Sequence, residues 1–284
     1  MKTRLVVALG ACTLTGVAAC GDDSNSDNTL QITERDYEFE LDGSVEAGSV
    51  SIAVENKGEE FHEIAMGKLV DGQTVEDARA ALEAANEDTE NPLEGIVDDD
   101  SVIDELGGVQ APGTAYTITG DDIEAGEYVL LCFIPNSEGT PHTSMGMVTG
   151  FTVGEGDVSD VPDPDVTYTI SGTGLDGPTQ LDRGTTSIEI VNDSSTSREI
   201  SLLKITEGRT VEDVVAFFEA ADEGPPDFAT APIDFLTFVF DAESDRTITV
   251  DLTDGQWAIQ TPDPEQPFEG SPTDDPHTIL VTVP

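Results

Sequence analysis

Two histidines, one cysteine and a pair of methionines carry the donor chemistry of this chain. His62 sits in Phe61-His62-Glu63, just after the turn signal Asn56-Lys57-Gly58. Seventy residues on, the run Tyr128-Val-Leu-Leu-Cys132 leads into a stretch holding His142, Met145 and Met147. Two imidazoles, a thiol and a thioether are the donor set of a trigonal copper site with a weak axial ligand, because thiolate and imidazole suit both oxidation states of that metal. Taken singly, each residue has a plainer role: a satisfied or surface histidine, a small buried cysteine, a core methionine. A Cys132 and His142 hydrolase is a further reading, but no motif marks an oxyanion hole or an orienting acid.

Such donors need rigid elements to bring them together, and the pattern around them is mostly strand. Val50 to Asn56, Ala115 to Thr119, Tyr128 to Phe133 and Val148 to Val153 are short β-branched or aromatic runs bounded by turn residues. Several short strands separated by turns predict an antiparallel sandwich or barrel. Pro135, Gly139 and Pro141 stiffen the long stretch between Cys132 and His142. One segment breaks the rhythm: Thr74-Val-Glu-Asp77 reads as a helix cap, and Val75, Ala78, Leu82 and Ala85 follow at helical spacing. A packing stripe on the flank of the sandwich explains it better than a cofactor-binding face.

The chain also repeats itself. Asn56, Glu63-Ile64, Gly72, Thr74-Val75-Glu76-Asp77 and Ala84 recur 136 residues later as Asn192, Glu199-Ile200, Gly208, Thr210-Val211-Glu212-Asp213 and Ala220. Further on, Gly126-Glu127-Tyr128 meets Gly255-Gln256-Trp257, and Pro141-His142-Thr143 meets Pro276-His277-Thr278. A period this long denotes a duplicated domain rather than a solenoid. The expected organisation is a first copy over 29–153, a Pro-, Gly- and Asp-rich linker over 154–166 and a second copy over 167–284. The helical segment recurs with Thr210, Val211, Val214, Val215 and Phe218.

The order of the donors resembles the cupredoxins, the blue-copper proteins, in which one histidine lies early in the sandwich and Cys, His and Met follow around the loop before the last strand. The resemblance covers about residues 30–153 and implies an all-β fold, here two tandem cupredoxin-like Greek-key β-sandwiches, each with a short helical insertion. It implies one type 1 copper, with His62 the early imidazole, Cys132 the thiolate, His142 the second imidazole and Met147 the axial ligand. Four residues separate His142 from Met147, the ordinary family spacing. Nine lie between Cys132 and His142, more than in the small electron carriers and closer to copper nitrite reductases, and Met145 competes for the axial place. Aligning Arg198 with His62, Thr261 with Cys132, His277 with His142 and Thr282 with Met147 leaves the second copy one ligand of four, and so expected to be metal-free. Multicopper oxidases and nitrite reductases need further histidines for their other centres, and this chain has three in total. The resemblance therefore implies a one-electron carrier with a redox partner protein, not an enzyme. The runner-up is a copper-binding or copper-buffering protein, or a metal-free sandwich serving as an interaction module.

Charge and the N-terminus set the context. With 59 Asp plus Glu against 11 Lys plus Arg, the net charge of −48 excludes nucleic acid as a partner, since phosphate binding needs clustered cations. Acid spread along the whole chain suits solubility in high salt, where screening shortens electrostatic reach to about 3 Å. Met1-Lys2-Thr3-Arg4, the apolar run from Leu5 and the small residues before Cys20 form an export signal over 1–19. Val17-Ala18-Ala19-Cys20 resembles the lipobox of bacterial lipoproteins, which implies lipidation at Cys20, a tether over 20–28 and a place on the extracytoplasmic face of the cell membrane. Cys12 leaves with the signal and Cys20 carries lipid, so Cys132 remains as an unpaired thiol in a compartment where thiols normally form disulfides.

Overall fold

The computed structural model describes residues 28–284 except 86–88, 90, 103–106, 160, 162, 211, 214–234 and 262–274. The export signal, Cys20 and most of the tether lie outside these residues, as does most of the second helical segment. Asn28, the last tether residue, is pinned down: its amide donates to Glu46 and Ser49 carbonyls at 2.8 and 2.6 Å and accepts from Glu46 N–H at 2.8 Å.

Strand formation follows the alternation in the sequence. In β3 (Val45–Asn56), Val50, Ile52 and Val54 point into the core, nearly inaccessible to solvent, while Ser51 on the other face bonds the Thr119 hydroxyl at 2.8 Å. On one side of the first sandwich, β2 (Glu38–Asp42), β1 (Thr29–Arg35), β3 and β7 (Ala115–Ile123) lie in that order. Facing them are β9 (Val148–Val158), β8 (Gly126–Leu131), β4 (His62–Leu69) and β6 (Gly108–Gln110), with β5 (Val97–Val102) also on β4. Pairing β1 with β3 is parallel, which a simple meander cannot give; the chain crosses between sheets in Greek-key fashion.

The second copy repeats the plan. There β11 (Gly174–Asp176), β10 (Val166–Ser171), β12 (Gly184–Asn192) and β15 (Ser244–Leu252) form one side. The other is β14 (Phe235–Phe240), β13 (Arg198–Ile205), β16 (Gly255–Gln260) and β17 (Thr278–Val283). The chain is thus all-β in two tandem sandwiches. The stretch expected as linker contributes more than a connection, because β9 continues through Gly154 to Val158 and its end pairs in parallel with the start of β3.

Backbone bonds fuse the copies. β7 pairs with β15 about Ile118 and Ile248, equivalent residues of the repeat, and β6 pairs with β14. Both sheets therefore run without a break from one copy into the other. The approach at β6 requires Gly108, since a Cβ there would lie 2.6 Å from the Thr237 carbonyl oxygen and 2.8 Å from the Phe238 ring.

Helix α1 (Val75–Ala84) forms where the capping pattern predicts it, with Thr74 and Asp77 bonded reciprocally. Its Ala78 is fully buried against Leu69, Val129, Leu131 and Val148, with Val75 and Leu82 packed alongside. Strand β8 is thereby buried on both faces, Tyr128 and Leu130 toward the main core and Val129 and Leu131 toward the helix. In the second copy, Thr210 and Asp213 make the same cap bonds.

Candidate metal centre

All four expected ligands lie at one end of the first sandwich, because antiparallel pairing puts the start of β4, the end of β8 and the start of β9 side by side. His62 opens β4 opposite Gln110 of β6. Cys132 follows β8 directly, His142 begins a short 3-10 turn (His142–Met145), and Met147 precedes β9. Backbone bonds knit the returning loop. Cys132 N–H donates to Met147 O at 3.3 Å, Thr143 N–H to Cys132 O at 3.0 Å, and Met147 N–H to His142 O at 3.0 Å. Asn136 secures the tip by accepting from the Glu138 and Thr140 amides, 3.0 Å each. From α1, the Arg79 guanidinium donates to the carbonyls of Gly146 and Val148, tying the helix to the ligand loop.

The donor atoms converge. His62 Nδ1 and His142 Nδ1 are 3.2 Å apart, and Cys132 Sγ lies 3.4 Å from the His142 nitrogen and 4.0 Å from that of His62. Among the described residues these three form the one cluster of His, Cys and acidic groups able to hold a metal ion, and all three are fully buried. Met147 is also fully buried and belongs to the same core cluster as Cys132. Met145 is 40% exposed with its sulfur 3.4 Å from the Asn136 amide, on the outside of the loop.

The outer imidazole nitrogens face acids. His142 Nε2 is 2.9 Å from Glu60 Oε2, and His62 Nε2 stands at an ion-pair distance of 3.4 Å from Asp36 Oδ1. A carboxylate only accepts, so the proton of His142 sits on Nε2 and Nδ1 keeps its lone pair. Gly58 makes room for this: a Cβ there would fall 2.5 Å from Asp36 Oδ1 and 2.6 Å from His62 Nε2. Asn56 fixes the turn by donating to the carbonyls of Glu60 and Gln110 and accepting from Gly58 N–H. Over the His142 ring lies Tyr37, edge-on with centroids 5.1 Å apart.

Burial holds Cys132 and His62 in their uncharged forms. Burial pushes the Cys132 thiol up to about 12, against the lowering effect of the Glu63 and Ile134 amides. Burial, and then the neighbouring His142, hold His62 below the usual imidazole range. A soft donor set of two imidazole nitrogens and a sulfur within about 4 Å of one another fits a soft metal cation.

Register corrects one part of the sequence alignment. In copy one, Leu131 pairs with Val148; in copy two, Gln260 pairs with Thr278. Likewise Thr261 N–H donates to His277 O at 2.9 Å, as Cys132 does to Met147. His277 therefore occupies the place of Met147 rather than of His142, and Thr282 lies within β17 opposite Gln256. The loop of copy two is one residue longer, so the matching Pro-His-Thr triplets do not superpose. Arg198 and Thr261 do stand where His62 and Cys132 stand, Arg198 heading β13 opposite Phe240 as His62 heads β4 opposite Gln110. The acidic partners of the two imidazoles escaped the sequence reading. Glu60 is two residues before His62, but in a chain with 59 acids that proximity carried no signal.

No protein-family model matches the chain, and no curated protein matches it in sequence. Among solved structures it is similar to a dithionite-reduced auracyanin from the photosynthetic bacterium Roseiflexus castenholzii, with 21% identity over 45% of this chain and 97% of that one, at a TM-score of 0.30. It is also similar to a multicopper oxidase, 13% identical over 90% of this chain and 88% of that one at a TM-score of 0.27. A copper-containing nitrite reductase from Thermus scotoductus matches at 12% identity over 90% of this chain and 61% of that one, TM-score 0.24. In architecture the chain is a tandem of Greek-key β-sandwiches, and the first of them gathers His62, Cys132 and His142 into one buried cluster.

Proposed function

We propose that the first sandwich holds a single type 1 copper between His62, Cys132 and His142, with Met147 as axial ligand, and that the protein carries one electron at a time to or from a redox partner protein. The observation that supports it most is the convergence of two Nδ1 atoms and one Sγ, with the outer nitrogen of His142 bonded to a carboxylate. Copper, when bound, would supply the one-electron couple and the positive charge that keeps the sulfur a thiolate. The chain's own residues supply the rest. The knitted loop and the sandwich end hold one ligand geometry, so little rearrangement accompanies a change of oxidation state. All four side chains are fully buried, which favours a carrier over an enzyme with a substrate position on the metal. Three histidines in the whole chain leave none for a second catalytic centre of the oxidase or reductase kind. The export signal and the lipobox-like Val17-Ala18-Ala19-Cys20 support a lipid-anchored protein on the extracytoplasmic face of the membrane.

Loading the protein with Cu(II) tests this reading. An intense visible thiolate-to-copper band is expected, and Cys132→Ser removes it; a protein that stays colourless and takes up no copper overturns the proposal. Met147→Leu keeps the colour and shifts the reduction potential. The same shift from Met145→Leu alone would move the axial assignment there. A reversible couple favours the carrier, whereas tight Cu(I) binding without one favours copper buffering.

A further inference from the structure

The copper reading leaves unexplained why the two imidazoles are backed by acid from two different loops. Asp36 belongs to the turn between β1 and β2, and Glu60 to the turn between β3 and β4. Asp36 is held by the Glu59 amide, which donates to its Oδ1 at 2.8 Å, the same oxygen that faces His62 Nε2. Glu60 Oε2 receives the His142 Nε2 proton at 2.9 Å and the Tyr37 hydroxyl at 3.4 Å. Tyr37 holds a left-handed backbone, φ 68°, which folds its ring back onto His142. His142 is thereby shut off from solvent on the side away from its Nδ1.

We propose that Glu60, assisted by the charge of Asp36, is a positioning residue that fixes the His142 tautomer and biases the site toward oxidised copper. This inference rests on the copper reading above. A carboxylate accepting the Nε2 proton makes the imidazole a stronger donor at Nδ1, and the added negative charge favours the more highly charged ion. The Glu60 contact is the shorter and shares its oxygen with Tyr37, so it carries more of the effect than Asp36. The Tyr37 hydroxyl donates to that same Glu60 oxygen and helps to hold it toward His142.

The test compares full-length protein with Glu60→Gln, which keeps an acceptor but no charge, and with Glu60→Ala, which keeps neither. In both the visible band remains, and the ratio of Cu(II) to Cu(I) affinity falls about tenfold, read as a midpoint potential about 59 mV higher. Asp36→Asn moves it in the same direction by less. Wild-type potential in both Glu60 variants overturns the inference. A second measurement needs no variant: in the diamagnetic Cu(I) protein, nitrogen NMR places the exchangeable His142 proton on Nε2 with slow solvent exchange, and Glu60→Gln accelerates that exchange. A fast-exchanging or absent Nε2 proton in the wild type is equally fatal. Failure of the copper reading looks different, since the wild type itself would then show no band.

Discussion

The two copies share a scaffold and differ in what stands at its end. Asn56 and Asn192 occupy the same place and make the same bonds: each donates to a carbonyl four residues on at 3.0 Å and accepts from an amide two residues on. Where copy one has His62, Cys132 and Met147, copy two has Arg198, Thr261 and His277. Beneath them the contrast continues. Glu34 pairs with Asn56 across the parallel strands and its carboxyl accepts from the Gln110 amide, whereas the equivalent pair in copy two is Ile170 and Phe240. At this place the same sandwich folds around an apolar pair, Ile170 and Phe240, both fully buried. The polar pair and the full donor set stand in copy one alone, and the scaffold forms in both copies.

The largest difference to test is metal uptake. Copper binding to the intact chain should saturate at a single equivalent; His62→Ala should abolish the coloured form, while Arg198→Ala and His277→Ala leave both stoichiometry and spectrum unchanged. A second coloured equivalent, or loss of colour from the copy-two variants, would break the division between the copies.

Next comes the buried acid. Burial, opposed by the Gln110 hydrogen bond, raises Glu34 from the ordinary carboxylate value of 4.5 to about 8. The folded protein therefore holds this proton more tightly than the unfolded chain, so stability is full below about pH 4.5 and falls as pH climbs toward 8. Glu34→Gln, which needs no proton, should raise the stability of the metal-free protein by a few kcal/mol at pH 8 and by little at pH 4. A denaturant midpoint that shifts equally at both pH values would contradict it.

Smaller effects probe what the copies share. Asn56→Ala and Asn192→Ala each strand buried carbonyls and should each cost about 1–3 kcal/mol in urea unfolding. Unequal losses would show that one copy relies on its turn more than the other. At the bottom of the scale, Thr74→Ala removes one capping oxygen from an exposed helix start and should cost about 1 kcal/mol, matched by Thr210→Ala.

How much was legible varies by residue. The capping box at Thr74 and Asp77 was readable because it is local, set by residues three apart. The strands were readable because burial of one face imposes a period of two, as at Val50, Ile52 and Val54. Cys132 and Met147 could be named through the resemblance in donor order and spacing, and the structure puts them just after β8 and just before β9. The place of His277 could not be read, since matching triplets carry no information about a one-residue change in loop length, and only the pairing of Gln260 with Thr278 settles it. Nor could Glu60 and Asp36 be picked out, because acids crowd the whole sequence.

What the sequence determined by itself is the duplicated β pattern and the donor types, since both are written in side-chain identity and short spacings. Tertiary structure alone decided that the sheets continue from one copy into the other through β7 with β15 and β6 with β14, and which carboxylates stand behind the imidazoles. Those contacts join residues up to about 130 positions apart, and nothing local encodes them. They exist because edge strands left unpaired would have exposed their amides and carbonyls, and a matching edge from the repeat was at hand to receive them.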